Sequence, residues 1–337
     1  MSSSKVEPRA ATRWSAFAVL VLSIVAGLLA DACGSQPAAP TAARPAPQLC
    51  VPGSKQESDQ FAALHGYITY ADRTEIWAVD PNHPANRISM GPSLGLSPVA
   101  WSRDGSQLLL SEVRNDGSGE GRQDLCVMHA DGSQEPLTSD GRSSEGSFSP
   151  DGTKVVFTRI DQGLYVVDAK GGTPRLIARS YMAWWLGSPA WSPDGSRIAY
   201  IVYQEGGPGG TTSEIWTVNP DGTNPRRLVG ECGGASVPPF HEQQAAPTHC
   251  AGLAWSPDGS RLALWSEGGI YIVDADGSGL HRINDDGRQP SWSPDGSRIA
   301  FLQGGELFTM APHGTNVTQL EGVVVGGYRG LAWNPVP

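Results

Sequence analysis

Residues 255–260 read Trp-Ser-Pro-Asp-Gly-Ser, and this hexapeptide decides the fold because the chain repeats it. The aromatic residues that open the copies are 47, 43, 64, 37 and 41 residues apart. They are Trp101, Phe148, Trp191, Trp255, Trp292 and Trp333, the last in a copy reduced to Trp-Asn-Pro. A period near 40 residues built from short strands is typical of propeller blades.

Each repeat also contains the elements of a four-stranded sheet. The aromatic residue ends a strand and is expected to pack between neighbouring blades. Pro-Asp-Gly then forms a tight turn, in which Pro fixes φ, Asp bonds the local backbone and Gly accepts a positive φ. An apolar strand follows, such as 262–264, then a third strand such as 270–273, a second Asp-Gly turn and a fourth strand. One repeat therefore predicts one blade.

The count of strands predicts how the ring closes. The segments 68–70, 76–79 and 87–88 supply only three strands of the first blade, and 330–333 at the other end of the chain supplies the fourth. Closing a propeller in this way removes exposed sheet edges. We therefore expect an all-β fold: a six-bladed β-propeller of four-stranded blades over residues 66–337, closed by N- and C-terminal strands in one blade.

Composition excludes some partners. The chain has 24 Lys and Arg against 34 Asp and Glu, a net charge of -10, and no run of basic residues. Tracking a nucleic-acid backbone needs clustered positive charge, so no nucleic-acid partner is expected. The hydrophobic fraction of 39 % is sufficient for a sizeable core.

The N-terminal segment resembles an export signal of the lipoprotein type. Lys5, Arg9 and Arg13 precede an apolar stretch over 14–30, which leads to Cys33. This pattern predicts a signal peptide over 1–32 with lipidation at Cys33, while an uncleaved membrane anchor is the alternative. The following Ala- and Pro-rich segment, 33–65, is interpreted as an extended tether. We expect a protein anchored to the membrane on its extracytoplasmic side, as a bacterial lipoprotein is.

Four further cysteines agree with export. An even number of cysteines in an oxidising compartment predicts two disulfides, although four cysteines permit three pairings. Cys232 and Cys250 bracket one long connection and are paired here, which leaves Cys50 with Cys126. The alternative is a metal site that uses histidines of the same connection, but it lacks metal-ligand spacing.

The repeated Trp-Ser-Pro-Asp-Gly motif, with its Tyr-x-Val-Asp-x-Asp-Gly strand at 271–277, resembles the TolB-type, WD-like β-propeller family. The resemblance covers nearly all of the predicted propeller and implies its fold. It also implies a role in the cell envelope, since TolB binds a peptidoglycan-associated lipoprotein. TolB has an α/β domain before its propeller, whereas here only the tether is expected there. Arg103 stands in place of the motif's proline in the first copy.

The sequence predicts no catalytic residues, no cofactor and no metal. Gly91-Pro-Ser93-Leu-Gly95 matches a hydrolase elbow but has no helix after it, so we interpret it as a chance match. The Asp-Gly pairs lack the calcium-loop pattern and are explained by turns. The scattered histidines give no nucleophile–base pair.

The lengths of the connections indicate where binding occurs. The tight turns share one face of the propeller, and long, irregular connections share the other: 113–123, 179–188, 203–213 and 230–252. Recognition usually resides on such loops. The candidate binding residues are Tyr181, Trp184, Trp185, Phe240 and His241, with capping of the propeller as an equal alternative for them. The predicted function is an envelope module that binds a protein or peptide. Carbohydrate or small-ligand binding, or an enzyme with its site on the same face, is the alternative, and the oligomeric state stays open.

Overall fold

The computed structural model describes Phe61 and residues 64–93, 95–114, 122–181, 184–207, 210–230, 232, 250–266, 269–325 and 330–336. The predicted signal peptide with Cys33, almost all of the predicted tether, and Cys50, Phe240 and His241 lie outside these residues. Within the described part of the chain, no helix has the length and apolarity needed to cross a bilayer.

The described residues form 24 strands in six four-stranded antiparallel sheets, the blades. Blade 1 holds β1 (Ile68–Ala71), β2 (Glu75–Asp80), β3 (His83–Pro92) and β24 (Leu331–Trp333). Blade 2 holds β4 (Leu96–Trp101), β5 (Gln107–Arg114), β6 (Arg122–His129) and β7 (Gln134–Pro136). Blade 3 holds β8 (Ser143–Phe148), β9 (Lys154–Arg159), β10 (Gly163–Asp168) and β11 (Arg175–Arg179). Blade 4 holds β12 (Trp184–Trp191), β13 (Ile198–Gly207), β14 (Gly210–Val218) and β15 (Arg226–Val229). Blade 5 holds β16 (Cys250–Trp255), β17 (Arg261–Ser266), β18 (Gly269–Asp274) and β19 (His281–Asn284). Blade 6 holds β20 (Arg288–Trp292), β21 (Ile299–Gln303), β22 (Glu306–Met310) and β23 (Thr318–Val324).

The blades are arranged around an axis as a closed ring. In each blade, one of the two edge strands faces the axis, and we call it the inner strand. The inner strands are β24, β4, β8, β12, β16 and β20. Each inner strand contacts the next, and β20 contacts β24. The core lies between the blades, as in the apolar cluster that joins Ala263 and Ile272 of blade 5 to Trp292 and Phe301 of blade 6. The predicted fold class, a six-bladed β-propeller, is confirmed.

The two ends of the described propeller meet in blade 1. β24 pairs antiparallel with β1, with Trp333 opposite Ile68 and Leu331 opposite Tyr70. The Thr69 hydroxyl donates a hydrogen bond to Ala332 O over 2.9 Å. The predicted closure by strands from both ends is therefore present.

The Ser-Pro-Asp-Gly turn satisfies its polar groups internally, as the copy that begins at Ser256 shows. Gly259 N donates to Ser256 O over 2.9 Å, and Ser256 Oγ donates to Asp258 Oδ1 over 2.6 Å. Arg261 N donates back to Ser256 Oγ over 3.0 Å. Gly259 has a φ of 70°, a conformation that glycine adopts without strain. The motif thus encodes the turn locally, which explains its repetition.

The turn aspartates predict a loss of stability in acid. Hydrogen bonds from the Ser256 hydroxyl and the Ser260 N–H lower the pKa of Asp258 to about 2, and those from Ser293 and Ser297 lower the pKa of Asp295 to about 2. Because these pKa values lie below the unfolded value of 3.8, the stabilisation is complete above about pH 4 and is lost as the pH falls towards 2. Solvent screening limits each exposed turn to a few tenths of a kcal/mol.

Calorimetry between pH 6 and pH 2 measures this effect. We expect the Tm to fall by roughly 5 °C from the turns together, and the double variant Asp258→Asn, Asp295→Asn to show a shallower slope than the wild type. An unchanged slope in the variant would show that these carboxylates do not carry the acid sensitivity.

Candidate functional site

The two faces of the propeller carry different kinds of connection between strands, as predicted. The Ser-Pro-Asp-Gly turns follow the inner strands and lie on one face, together with the turns between the third and fourth strands. We call this the tight-turn face. The turns between the second and third strands and the links between blades lie on the opposite face, which we call the irregular face.

Two of the predicted irregular connections are shorter than expected. β13 continues to Gly207 and β14 starts at Gly210, so most of 203–213 is a strand hairpin. β12 starts at Trp184, so the second half of 179–188 is inner strand. The long hairpin offers backbone partners to this segment, with Trp185 opposite Tyr203.

An axial channel with two cavities runs between the inner strands. The cavity towards the tight-turn face measures about 310 Å³ and the cavity towards the irregular face about 350 Å³. Both are lined by one residue from each inner strand: Val99, Gly146, Pro189, Leu253, Pro290 and Leu331. This set forms an apolar ring between the two cavities.

The mouth on the tight-turn face is lined by the motif's prolines and by Arg103. The proline of one turn packs near the glycine of the next, as Pro193 does near Gly259. Arg103 Nη1 donates a hydrogen bond to Pro193 O over 2.8 Å, although Arg103 belongs to blade 2 and Pro193 to blade 4. The first copy of the motif thus has an arginine that reaches across this mouth, a role that the sequence did not indicate.

The cavity on the irregular face is lined by a second set of equivalent residues, three positions before each aromatic residue. We call this set the bulge ring: Pro98, Glu145, Ser188, Gly252, Gln289 and Gly330. Strand pairing shifts register directly after Pro98 and at the next four of these residues, which is the mark of a β-bulge. A Cβ at Gly330 would lie 1.7 Å from Pro98 O, so only glycine fits there.

Three residues of the bulge ring adopt left-handed backbone conformations despite having side chains. Their φ values are 47° at Glu145, 50° at Ser188 and 53° at Gln289. Such conformations are uncommon for residues other than glycine and are concentrated at functional sites. Bulges also redirect side chains, here towards the channel.

Glu145 is the only ionisable residue among those that line this cavity in the described structure. Ser188 N donates a hydrogen bond to Glu145 Oε2, and Ser188 Oγ accepts one from Gly252 N over 2.9 Å. Since the surrounding protein displaces much of the water around the carboxylate, burial raises the pKa of Glu145. Burial also raises the pKa of Tyr203, and the negative charge of Glu145 raises it further.

Gln289 adds a second acceptor to the same cavity. Its Oε1 atom is buried and has no hydrogen-bond partner within the described structure. Gln289 also lines a neighbouring cavity of about 330 Å³ on the irregular face. There, the Arg288 guanidinium lies 5.6 Å from the centre of the Trp265 ring.

The structure brings part of the predicted binding set together. Tyr181 is 68 % exposed in the link before β12. Trp185 lies in β12 and stacks on Tyr203, with ring centres 5.3 Å apart and planes 14° from parallel. Trp184 also lies in β12, where its backbone pairs with Gln204. Phe240 and His241 lie outside the described residues, so their place at the site stays a prediction.

Apolar exposure concentrates on the irregular face. Four large hydrophobic residues of the described chain are exposed, and three of them lie at this face: Val113 in β5, Ile160 before β10 and Tyr181. They belong to consecutive blades, and Val113 also lines the cavity that holds Glu145. The fourth, Val317, lies in the turn before β23 on the tight-turn face. Exposed apolar groups around a cavity are typical of interaction sites.

The predicted disulfide between Cys232 and Cys250 is present, and both cysteines are buried. Cys232 N donates to Ser213 O over 2.8 Å, and Cys250 N donates to Ser213 Oγ over 2.7 Å. Both ends of the 233–249 connection are therefore fixed to β14. Cys126 is buried in β6, and its predicted pairing with Cys50 stays a prediction. Ser93 of the hydrolase-like motif is fully buried, which agrees with a chance match.

Comparison with known proteins defines the class further. Residues 159–322 match the family model of the TolB beta propeller domain. An uncharacterized protein of Agrobacterium fabrum is 27 % identical over 196 residues, 55 % of this chain and 57 % of that protein. The Tol-Pal system protein TolB of Anaeromyxobacter dehalogenans is 29 % identical over 141 residues, 40 % of this chain and 27 % of that protein. The matches thus span 27–57 % of the length of these curated relatives, less than two thirds in each case.

A solved structure from Agrobacterium tumefaciens, assigned to TolB, shares the fold. It aligns with a TM-score of 0.54 and 21 % identity over 76 % of this chain and 88 % of that chain. Fold and site define a six-bladed propeller with a polar channel mouth on one face. The match over residues 159–322 narrows the class, because this part of the chain is similar to the TolB beta propeller domain.

Proposed function

We propose that this chain is a module of the cell envelope that binds a protein or peptide at the irregular face of its propeller. The observation that carries the proposal is that Val113, Ile160 and Tyr181 are exposed on this face, where Val113 also lines the cavity that holds Glu145 and Gln289. A rigid ring that presents such a mouth suits pre-organised recognition.

The tight-turn face offers less to a partner. Its turns satisfy their own serines and aspartates, as Ser256 and Asp258 do, and Arg103 extends across the channel opening. The irregular face has a carboxylate and an amide oxygen that the described residues leave open to a donor. This contrast supports binding at the irregular face.

The cell envelope is proposed on two grounds. The Cys232–Cys250 disulfide is typical of proteins that fold in an oxidising compartment. The curated relatives include proteins named for the Tol-Pal system. Lipidation at Cys33 and the predicted extended spacer over 34–48 would hold the propeller near the membrane, with a reach of about 45 Å.

Three single substitutions to aspartate test the binding face. Tyr181→Asp and Val113→Asp place a charge on the irregular face, and Val317→Asp places the same charge on a comparably exposed residue of the opposite face. We expect the first two to reduce capture of the partner from detergent-solubilised envelopes at least tenfold, since they interrupt an apolar contact.

The Val317→Asp variant is the matched control and should capture the partner as the wild type does. Circular dichroism and Tm measurements on all three variants separate a binding loss from unfolding. Equal capture by all variants, or a loss with Val317→Asp alone, would contradict the proposed face.

A further inference from the structure

We propose that the channel mouth on the irregular face receives a cationic side chain, lysine or arginine, of the bound protein or peptide, with Glu145 as its counter-ion. This inference rests on the proposed function and names the chemistry of the group that enters the cavity. It follows from the charge, the hydrogen bonding and the wall composition of that cavity.

Glu145 carries a negative charge that no cationic group of the described residues compensates. Glu145 lines the cavity and is exposed to its lumen, yet it is surrounded by the propeller. The Ser188 N–H donates to Oε2, and no described cationic group contributes to the environment of the carboxylate. Inside a narrow channel a carboxylate is solvated less completely than on an open surface, so a cation is a favourable partner for it. The missing partner can come from a ligand.

The propeller fold does not require a carboxylate at the position of Glu145. The equivalent positions of the bulge ring in other blades are occupied by proline, serine, glycine and glutamine. Glycine would adopt the left-handed backbone of Glu145 more readily. A strained glutamate in a channel therefore points to a task other than stabilising the blade.

The cavity also offers hydrogen-bond acceptors and an apolar wall that match a long cationic side chain. The Gln289 Oε1 atom is a buried acceptor with no hydrogen-bond partner among the described residues, and it belongs to the same ring as Glu145. Two acceptors suit the several N–H donors of an ammonium or guanidinium group. The apolar ring behind them, with Pro189, Leu253 and Leu331, suits the methylene stem of a long cationic side chain.

The other end of the channel has the opposite character. Arg103 places a positive charge at the tight-turn mouth, where it donates to Pro193 O. Among the described residues that line the two cavities, Arg103 is the charged one at that end and Glu145 is the charged one at the irregular face. This difference in lining favours the irregular-face mouth as the entrance for the cationic group.

The test is a selection from a random heptapeptide display library on the purified full-length protein and on its Glu145→Gln variant. Glutamine keeps an acceptor for the Ser188 N–H but removes the charge, so the fold and Tm should persist. Glu321→Gln is the matched control, because Glu321 is an exposed carboxylate on the outer strand β23.

The proposal predicts that peptides selected on the wild type share one lysine or arginine position. Glu145→Gln should weaken their binding at least tenfold, as should replacing that lysine by norleucine or that arginine by citrulline. The two changes combined should weaken binding little more than either alone, which a purely structural role of Glu145 would not produce. Glu321→Gln should bind as the wild type does.

Selected peptides without a shared cation, or peptides that bind Glu145→Gln as tightly as the wild type, would overturn the cation inference and leave the proposed function standing. A wild type that enriches no peptide would overturn peptide binding itself, and the inference with it.

Discussion

Trp333→Ala is expected to lower the free energy of unfolding by about 3–5 kcal/mol, the largest effect of any substitution considered for this propeller. Trp333 is buried and ends the strand that closes the ring. Its indole N–H donates to Gly66 O over 2.7 Å, and its backbone N–H donates to Ser291 Oγ over 3.0 Å. The side chain thus holds the chain before β1 and also packs in the apolar cluster with Leu302 and Leu307 of blade 6. Chemical denaturation measures the change.

A circular permutant separates ring closure from local packing. Asn334 N donates to Tyr67 O over 2.8 Å, so the end of β24 lies beside the start of β1. A permutant in which residues 330–336 are joined by a short linker to Gly66 should therefore fold as a closed ring. A variant that lacks residues 330–337 should not unfold in a single cooperative transition. A deletion variant that unfolds cooperatively with wild-type stability would show that β24 does not close the ring.

Replacing Cys232 and Cys250 together by alanine is expected to destabilise the protein by about 3 kcal/mol, because the unfolded chain regains the freedom of a loop with a sequence separation of 18. For a propeller of this size the Tm should fall by roughly 6–12 °C. The effect includes the anchoring of both cysteines to Ser213 on β14.

Calorimetry without reductant is the appropriate measurement, since a reductant would also act on the predicted Cys50–Cys126 pair. The single variant Cys126→Ala gives the comparison, because Cys126 is likewise buried but lies in blade 2. A Tm change below about 2 °C in the double variant would show that the disulfide contributes little to stability.

The blades and their closure could be predicted because the decisive interactions are local. A turn such as Ser256 to Ser260 carries its own hydrogen bonds, so its sequence recurs wherever the turn recurs. The closing strand carried the same Trp-x-Pro signature at Trp333. Fold class, blade number and the division into two faces therefore followed from sequence.

The candidate site was only partly predictable. Tyr181 and Trp185 were found from their aromatic character, but 179–188 was expected to be a connection. A Ser-Pro pair such as Ser188-Pro189 usually interrupts a strand. The structure accommodates this pair in a bulge, so β12 starts at Trp184. The register between neighbouring strands, which creates this bulge, is not visible in the secondary-structure pattern of one repeat.

Glu145 was missed for the same reason. Its role depends on a bulge and on the arrangement of six inner strands around one channel, and neither is visible in one repeat. Glu145 could have been found by aligning the copies of the repeat on their aromatic residues. Three positions before each aromatic, that alignment shows a single charged residue among proline, serine, glycine and glutamine.

Site-specific photo-crosslinking in living cells tests most directly whether the irregular face is the binding face. A photoreactive amino acid at Tyr181, which is 68 % exposed, is compared with one at Val317, which is 48 % exposed on the opposite face. The account predicts a discrete protein adduct from position 181 that disappears in competition with the unlabelled wild-type protein, and none from position 317. An adduct from position 317 alone would contradict it.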